Sequence, residues 1–342
     1  MLDWNRLRSW ATGAVIESPD SLTRRLADEF NVSRKTANVA VRRLESEGVL
    51  IREHGTTHPR FSPGNKRWRD VEYTIEQTAD ENQCWVRDFE PYFNLSQNVR
   101  GICQHGFTEI LNNAHDHSAG SRVHALMIAD SQIAQILVAD DGVGVFQRIA
   151  DALGLPDLRL ALLELSKGKL TTDPSKHSGE GVFFTSRMFD NFELRANGLK
   201  HIHTVNQAYD LLLENGTLQG TCVVMSIALN SKRTRNAVYD EFTSGEEEDF
   251  GFEKTVVPVR LARIGQEGLV SRSQAKRLIA RFEQFKVVVL DFRDVTEIGQ
   301  AFADEIFRVF VRSHPEVQLL RTNSAAVEPM ILRVSGVKHG QG

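Results

Sequence analysis

Residues 26–50 read LADEFNVSRKTANVAVRRLESEGVL, and the fold of the N-terminal segment turns on how they are punctuated. Ser33 is a helix-capping residue just after the break at Asn31-Val32. Ala37, Val41 and Leu44 follow at spacings that put them on one helical face. Gly48 ends that helix, and Val49-Leu50-Ile51 starts a strand that turns near Gly55. Upstream, Ser21 or Asp20 can cap a helix carrying Leu22, Leu26 and Phe30, while Trp4, Leu7, Trp10 and Ala11 mark a first helix. The helix after Ser33 leaves Arg34, Lys35, Thr36, Asn38, Arg42 and Arg43 facing outward. Cations there neutralise phosphates, and Asn and Arg pair with base edges. Duplex DNA is the expected partner.

With its helix, tight turn and second helix, the segment 1–56 resembles the winged helix-turn-helix of bacterial regulators. That resemblance implies that the second helix enters the major groove. The stretch 57–94 is a basic connector and lead-in, with His58, Arg60, Lys66, Arg67 and Arg69 at its start. It reads as the far side of a β-wing, a linker, or both.

The middle segment, 95–236, has no G-x-x-x-x-G-K-S/T string, which argues against an ordinary P-loop ATPase. It carries three short motifs instead. In FTEILNNAHDHS, Glu109 and Asn113 are four apart and share a helical face. A carboxylate and an amide together there can orient a water and ligate magnesium, both oxygen chemistry. In VADDGVGV, a buried strand ends at Asp140 and leads to Gly142 and Gly144. A strand-end carboxylate can accept from the amine of adenine, and glycines allow close backbone approach. In KHSGEGVFFTSRMF, Gly179 and Gly181 open a helix whose N-terminal N–H groups suit phosphate.

In this order and spacing, the motifs resemble the GHKL ATPase fold shared by gyrase, heat-shock chaperone, histidine kinase and mismatch-repair ATPases. The resemblance implies ATP and Mg2+ as cofactors, Glu109 as general base or water-orienting carboxylate, Asn113 as magnesium ligand and Asp140 as adenine reader. Gly142, Gly144, Ser178, Gly179 and Gly181 match its nucleotide loops, and Thr221 in GTCVV matches the threonine of its last strand. The third motif departs from the commonest form, which has glycine where Phe183 stands. Lys167, Lys169 and Lys176 flank that motif, as phosphate ligands or as plain surface charges. His115 and His117, two apart on a helix, point to different sides, one packed and one exposed, and cannot chelate one metal. Cys103 and Cys222 read as small apolar core groups.

An acidic linker, 237–251, ends in TSGEEEDFG. Beyond it, VVVLDFRDVTEIGQAFADEIFRVF lies within a segment, 252–338, that resembles the STAS domain of anti-sigma-factor antagonists. Its pattern predicts a strand over 256–259, a helix from Ser271 to Phe285, a buried strand over 287–290 and a helix over 301–311. In that family a serine before the helix is phosphorylated by a GHKL partner. Here Gly299, Gln300, Ala301 and Phe302 stand there without a hydroxyl, which favours a module for docking a protein partner or for self-association.

The 342 residues carry 41 Lys+Arg against 45 Asp+Glu, so DNA binding must come from a local basic face and not from bulk charge. The apolar runs are too short to span a bilayer, MLDWNRLRSW is no signal peptide, and Cys84, Cys103 and Cys222 have no paired spacing. A cytoplasmic bacterial protein without a membrane partner is expected. The fold class is multidomain α+β: winged helix-turn-helix, GHKL α/β sandwich and STAS-like α/β domain. The function expected is an ATP-binding, ATP-hydrolysing DNA-binding regulator. The alternative is a protein serine/threonine kinase similar to anti-sigma-factor kinases. A histidine kinase is disfavoured, because His54 and His105 lack the His-Glu or His-Asp setting before Glu109.

Overall fold

The computed structural model describes residues 2–54, 59–170, 179–205, 209–214, 216, 218–243, 252–264 and 267–336. The protein is a multidomain α+β chain whose residues group into two compact units. The first comprises residues 1–143, 188–195 and 218–234.

That unit opens with helices α1 (Trp4–Glu17), α2 (Leu22–Glu29) and α3 (Arg34–Ser46), then strands β1 (Leu50–His54) and β2 (Arg60–Pro63). Leu7, Ala11, Leu22, Leu26, Ala37, Val41 and Leu44 form one core with Phe61 of β2. The Ser33 hydroxyl accepts from the Thr36 backbone N–H at 3.1 Å and caps α3. Asn31 makes the preceding turn at φ 48°, a left-handed conformation that Asn tolerates. Two local expectations change. Ser21 makes no side-chain cap bond, and Phe30 lies past the end of α2 instead of on it.

The basic stretch after the wing proves to be structure. β2 pairs antiparallel with β1, Leu50 opposite Pro63. Next, β3 (Arg67–Thr74) pairs antiparallel with β4 (Arg122–Ala129), which pairs with β5 (Ile133–Asp140). With β9 (Thr221–Ala228) and β6 (Asn191–Ala196), the order in this unit is β3-β4-β5-β9-β6. Helix α4 (Glu81–Asp88) precedes the long α5 (Gln97–His117), which packs on β5 and β9 and buries Val99, Phe107 and Leu111. On the outer edge of β3, the Ser9 hydroxyl of α1 accepts from the Asp70 N–H at 2.9 Å, and Thr12 Oγ1 accepts from the Trp68 N–H at 3.2 Å. Gly55 and His58 lie outside the described residues.

The second unit comprises residues 144–187, 196–217 and 235–342. It holds α6 (Val145–Leu153), α7 (Leu158–Lys167), most of α8 (Gly181–Met188), the antiparallel pair β7 (Leu199–Thr204) and β8 (Tyr209–Glu214), and α9 (Arg235–Phe242). A parallel three-stranded sheet follows, ordered β10 (Lys254–Pro258), β11 (Val287–Asp291) and β12 (Gln318–Thr322). Its helices are α10 (Arg272–Ile279), α11 (Gln300–Asp304), continued by a π-helical stretch Glu305–Phe310 into α12 (Val311–Ser313), and α13 (Glu328–Ser335). The acidic stretch from Ser244 to Gly251 lies outside the described residues.

The helix expected to run from Ser271 to Phe285 stops at Ile279, because Ala280 is extended and Arg281 is left-handed at φ 67°. The break has a use. Lys167 Nζ donates to the carbonyls of Arg277 (3.0 Å) and Ala280 (2.9 Å), and to Glu164 Oε1 at 2.7 Å. Arg281 reaches Glu164 at 2.9 Å and the carbonyls of Gly168 and Lys169 at 2.7 Å each. Lys167 is therefore neither a surface charge nor a phosphate ligand but a fully buried strut, and burial pushes its ammonium down to about 8 against the pull of Glu164. Lys169 Nζ donates to Gln284 O at 2.8 Å, and Lys176 lies outside the described residues. Cys84, Cys103 and Cys222 are free and buried, and burial pushes the Cys103 thiol up to about 12. No described helix is long and apolar enough to cross a membrane.

Breaking a buried ion pair by removing one partner costs about 3–5 kcal/mol. Arg281 still faces Glu164 when the lysine goes, so Lys167→Ala is expected to lose about 3 kcal/mol in urea unfolding. An unchanged unfolding midpoint would remove Lys167 from the strut.

Candidate functional site

The strand β5 delivers Asp140 to its C-terminal end beside the start of β9. There Asp140 Oδ1 accepts from the Gly142 N–H at 2.9 Å and the Thr221 N–H at 3.2 Å, and the Thr221 hydroxyl also bonds the carboxylate. Burial raises the Asp140 carboxyl above the ordinary range despite these donors. Its neighbour behaves oppositely. Asp141 accepts from the Arg122 N–H (3.0 Å), the Ser121 hydroxyl (2.8 Å) and the Ser121 N–H (2.7 Å), and these bonds hold its carboxyl low. Asp141 fastens the turn after α5, and Asp140 lines the end of the sheet.

Two glycines make this arrangement possible. A Cβ on Gly220, which sits at φ 77°, would lie 1.9 Å from the Asp140 carbonyl oxygen. One on Gly142 would lie 2.1 Å from the Ser118 carbonyl oxygen, which accepts from the Val143 N–H at 2.9 Å. Asp141, Ser118 and Gly220 are parts that sequence reading missed, and only the adjacency of Gly220 to Thr221 pointed to one of them. Glu109 and Asn113 lie half-buried on the same stretch of α5. His115 Nδ1 is within hydrogen-bond distance of Thr78 Oγ1 (3.1 Å) and Ile75 O (3.0 Å), and His117 is half-buried instead of exposed. Among the described residues, no three His, Cys, Asp or Glu side chains gather as a metal cage.

The remaining loop residues belong to the second unit. Gly144, at φ 87°, caps α6. Gly179, at φ 72°, gives its carbonyl to the Leu170 N–H at 3.0 Å, and Gly181 begins α8. Ser178 lies outside the described residues. Phe183 is buried against Phe184, Phe242 and Phe252, with the Arg187 guanidinium 3.5 Å from its ring centroid. Gly299 backs onto Val270, 2.7 Å from where its Cβ would stand, and Phe302 is fully buried.

On α3, Arg34, Lys35, Thr36, Asn38, Arg42 and Arg43 are all exposed, as the pattern predicts. Their roles divide. Thr36 belongs to the helix cap, its hydroxyl 2.9 Å from the Ser33 hydroxyl. The Arg43 guanidinium lies 3.7 Å from the Trp4 ring centroid and donates to Glu47 at 2.9 Å. Arg8 binds the same carboxylate at 2.7 and 3.0 Å and is the main cause of its lowered pKa. Arg43 thus helps clamp α1 to α3. Arg34, Lys35 and Arg42 have no ion-pair partner among the described residues. In the wing, Arg52 is paired with Glu45 at 2.8 Å and Arg60 lies 3.5 Å from Glu53.

Residues 6–57 match the family described as bacterial regulatory proteins, gntR family. Residues 274–325 match the STAS-like domain of unknown function (DUF4325). No curated protein matches the chain. The N-terminal head is a DNA-binding helix-turn-helix domain of the gntR type, and the C-terminal segment is a STAS-like domain.

The opposite shifts of the two aspartates give opposite linkages. Asp140 keeps its proton in the folded state at pH values where the unfolded chain has lost it, so its ionisation opposes folding at neutral pH and that penalty fades as pH falls toward the ordinary aspartate pKa of about 3.9. The stability contributed by ionised Asp141 is present above that value and is lost as pH falls through its lowered folded pKa. At pH 7, Asp140→Asn is expected to melt no lower than the wild type, and Asp141→Asn is expected to melt lower. The reverse order in thermal melts would exchange the roles given to the two side chains.

Proposed function

We propose that the protein is an ATP-responsive DNA-binding regulator, in which Mg2+ and ATP bind the central sheet domain and change the DNA affinity of the gntR-type head. The observation that carries the nucleotide reading is Asp140. It is a largely desolvated carboxylate fixed at a strand end by Gly142 and Thr221, with no cation paired to it among the described residues. Such a group suits the amine edge of adenine, because a charged acceptor facing a neutral donor makes a strong hydrogen bond.

Asn113 would hold magnesium. That ion usually keeps several waters and takes one or two protein ligands beside the phosphates, so the donor set fits it. Bound nucleotide and metal supply a polarised terminal phosphate. Glu109 would orient the attacking water and accept its proton. Gly144, Gly179 and Gly181 keep the phosphate-binding role that the GHKL resemblance gives them.

The link to DNA has its own support. Asp140 stands on β5, β5 pairs with β4, β4 pairs with β3, and α1 of the head is bonded to β3. The head and the Asp140 site thus share one compact unit.

Incubation with γ-labelled ATP should release free phosphate, whereas label on a separate protein would favour the kinase reading. Asp140→Asn should weaken ATP binding more than tenfold in calorimetry, since a hydrogen bond to a charged group is worth about 1.5–3 kcal/mol. Glu109→Ala should keep ATP bound and lose about 10²–10⁴ in hydrolysis rate. Saturating ATP should change duplex affinity by about 5–150-fold, and DNA must change ATP affinity by the same factor. DNA binding indifferent to nucleotide would leave the head standing and sink the switch.

A further inference from the structure

The face that α3 turns away from its core is not uniformly polar. Ala37, Ala40, Val41 and Leu44 are buried, and Lys35, Asn38, Val39 and Arg42 follow i, i+3, i+4, i+7 spacing on the opposite side. At the centre of that stripe Val39 is 61% exposed, the most exposed large apolar side chain among the described residues. Lys35 and Arg42 sit one helical turn to either side of it, and neither has an ion-pair partner among the described residues. Arg43, the cation that could have covered part of this helix, is drawn off to Trp4 and Glu47.

We infer that Val39 reads a thymine in the major groove by packing its branched methyls on the base's 5-methyl group. The inference rests on the DNA-binding reading of the head and goes beyond it to what the head discriminates. Among the base edges in the major groove, the thymine methyl is the apolar feature, and the others are hydrogen-bond donors and acceptors. An apolar side chain between two unpaired cations therefore has one chemical counterpart when those cations lie along the two phosphate backbones. Asn38, beside it on the helix, has the paired donor and acceptor that suit an adenine edge. Together Asn38 and Val39 specify A·T pairs, where an all-cationic face would bind phosphate without reading sequence.

The test uses the full chain and a duplex selected by it from a random-sequence pool. Each thymine of the selected site is replaced singly by deoxyuridine, which removes only the methyl group, and affinity is measured at one fixed salt concentration. The wild type should lose about fourfold at a thymine that Val39 packs on, the size expected for one methyl group no longer buried. Val39→Ala, which favours the helix and so keeps α3 folded, should bind the thymine and deoxyuridine duplexes equally. Val39→Ala that still prefers thymine by the full factor would overturn the assignment, as would a wild type indifferent to every methyl. Failure of the wild type to bind any duplex would overturn the DNA reading beneath it as well.

Discussion

Two hydroxyl groups hold the N-terminal head to the rest of its unit. β3 is an edge strand, and its outward N–H groups at Trp68 and Asp70 would otherwise be left open at the edge of the sheet. Exposed strand edges invite pairing with other chains and are usually covered. Here Thr12 and Ser9, three residues apart on one face of α1, accept from those two N–H groups, and Ser9 also donates back to the Asp70 carbonyl. Both hydroxyls are buried, so apolar replacements would leave desolvated donors behind. On the same strand Arg69 donates to the Asp88 carbonyl while stacking over Tyr92, which ties β3 to the segment at and after the end of α4.

The same joint connects the head to the sheet that carries Asp140. Each ladder bond fixes its partner strand's register, and Asp140 stands on the third strand counted from α1. The site itself depends on a division of labour between adjacent acids. Asp141 satisfies the backbone of the turn at Ser121 and Arg122, which lets the chain double back beneath Gly142 without a cation. Asp140 is then free of that duty, and among the described residues it bonds to Gly142, just past its own strand, and to Thr221 at the start of β9. Their opposite pKa shifts follow from this placement: donors dominate at one acid, and desolvation dominates at the other.

The parts of this structure that were legible in the sequence are those decided locally. The Ser33 cap, the Asn31 turn and the buried face of α3 need only spacing and side-chain chemistry, and the strand ending in Asp140 is announced by its apolar run. What could not be read depends on partners far along the chain. β3 reads as basic linker because alternation is weak in RWRDVEYT, and its pairing with β4 is what makes it a strand. Lys167 reads as a surface charge because nothing near it announces that carbonyls more than a hundred residues away will surround it. The contact of Arg43 with Trp4 could not be read because Trp4 lies two helices upstream.

Phe183 stands where sequence resemblance alone would put glycine, and its packing against the C-terminal segment accounts for it. Phe183 packs with its ring centroid 4.5 Å from that of Phe252, and Phe252 packs on Phe285 at 5.3 Å. A glycine at 183 would remove a side chain that is only 2% exposed from a cluster whose other members come from α8, α9 and the C-terminal segment. The cost of such a truncation in a core is about 3–5 kcal/mol for phenylalanine. Lys167 makes the same connection from the other side of the third motif, through the carbonyls that the early end of α10 leaves open. The helix of the third motif therefore rests on the C-terminal segment, and that packing requires a large apolar residue at the position where the motif alone would call for glycine.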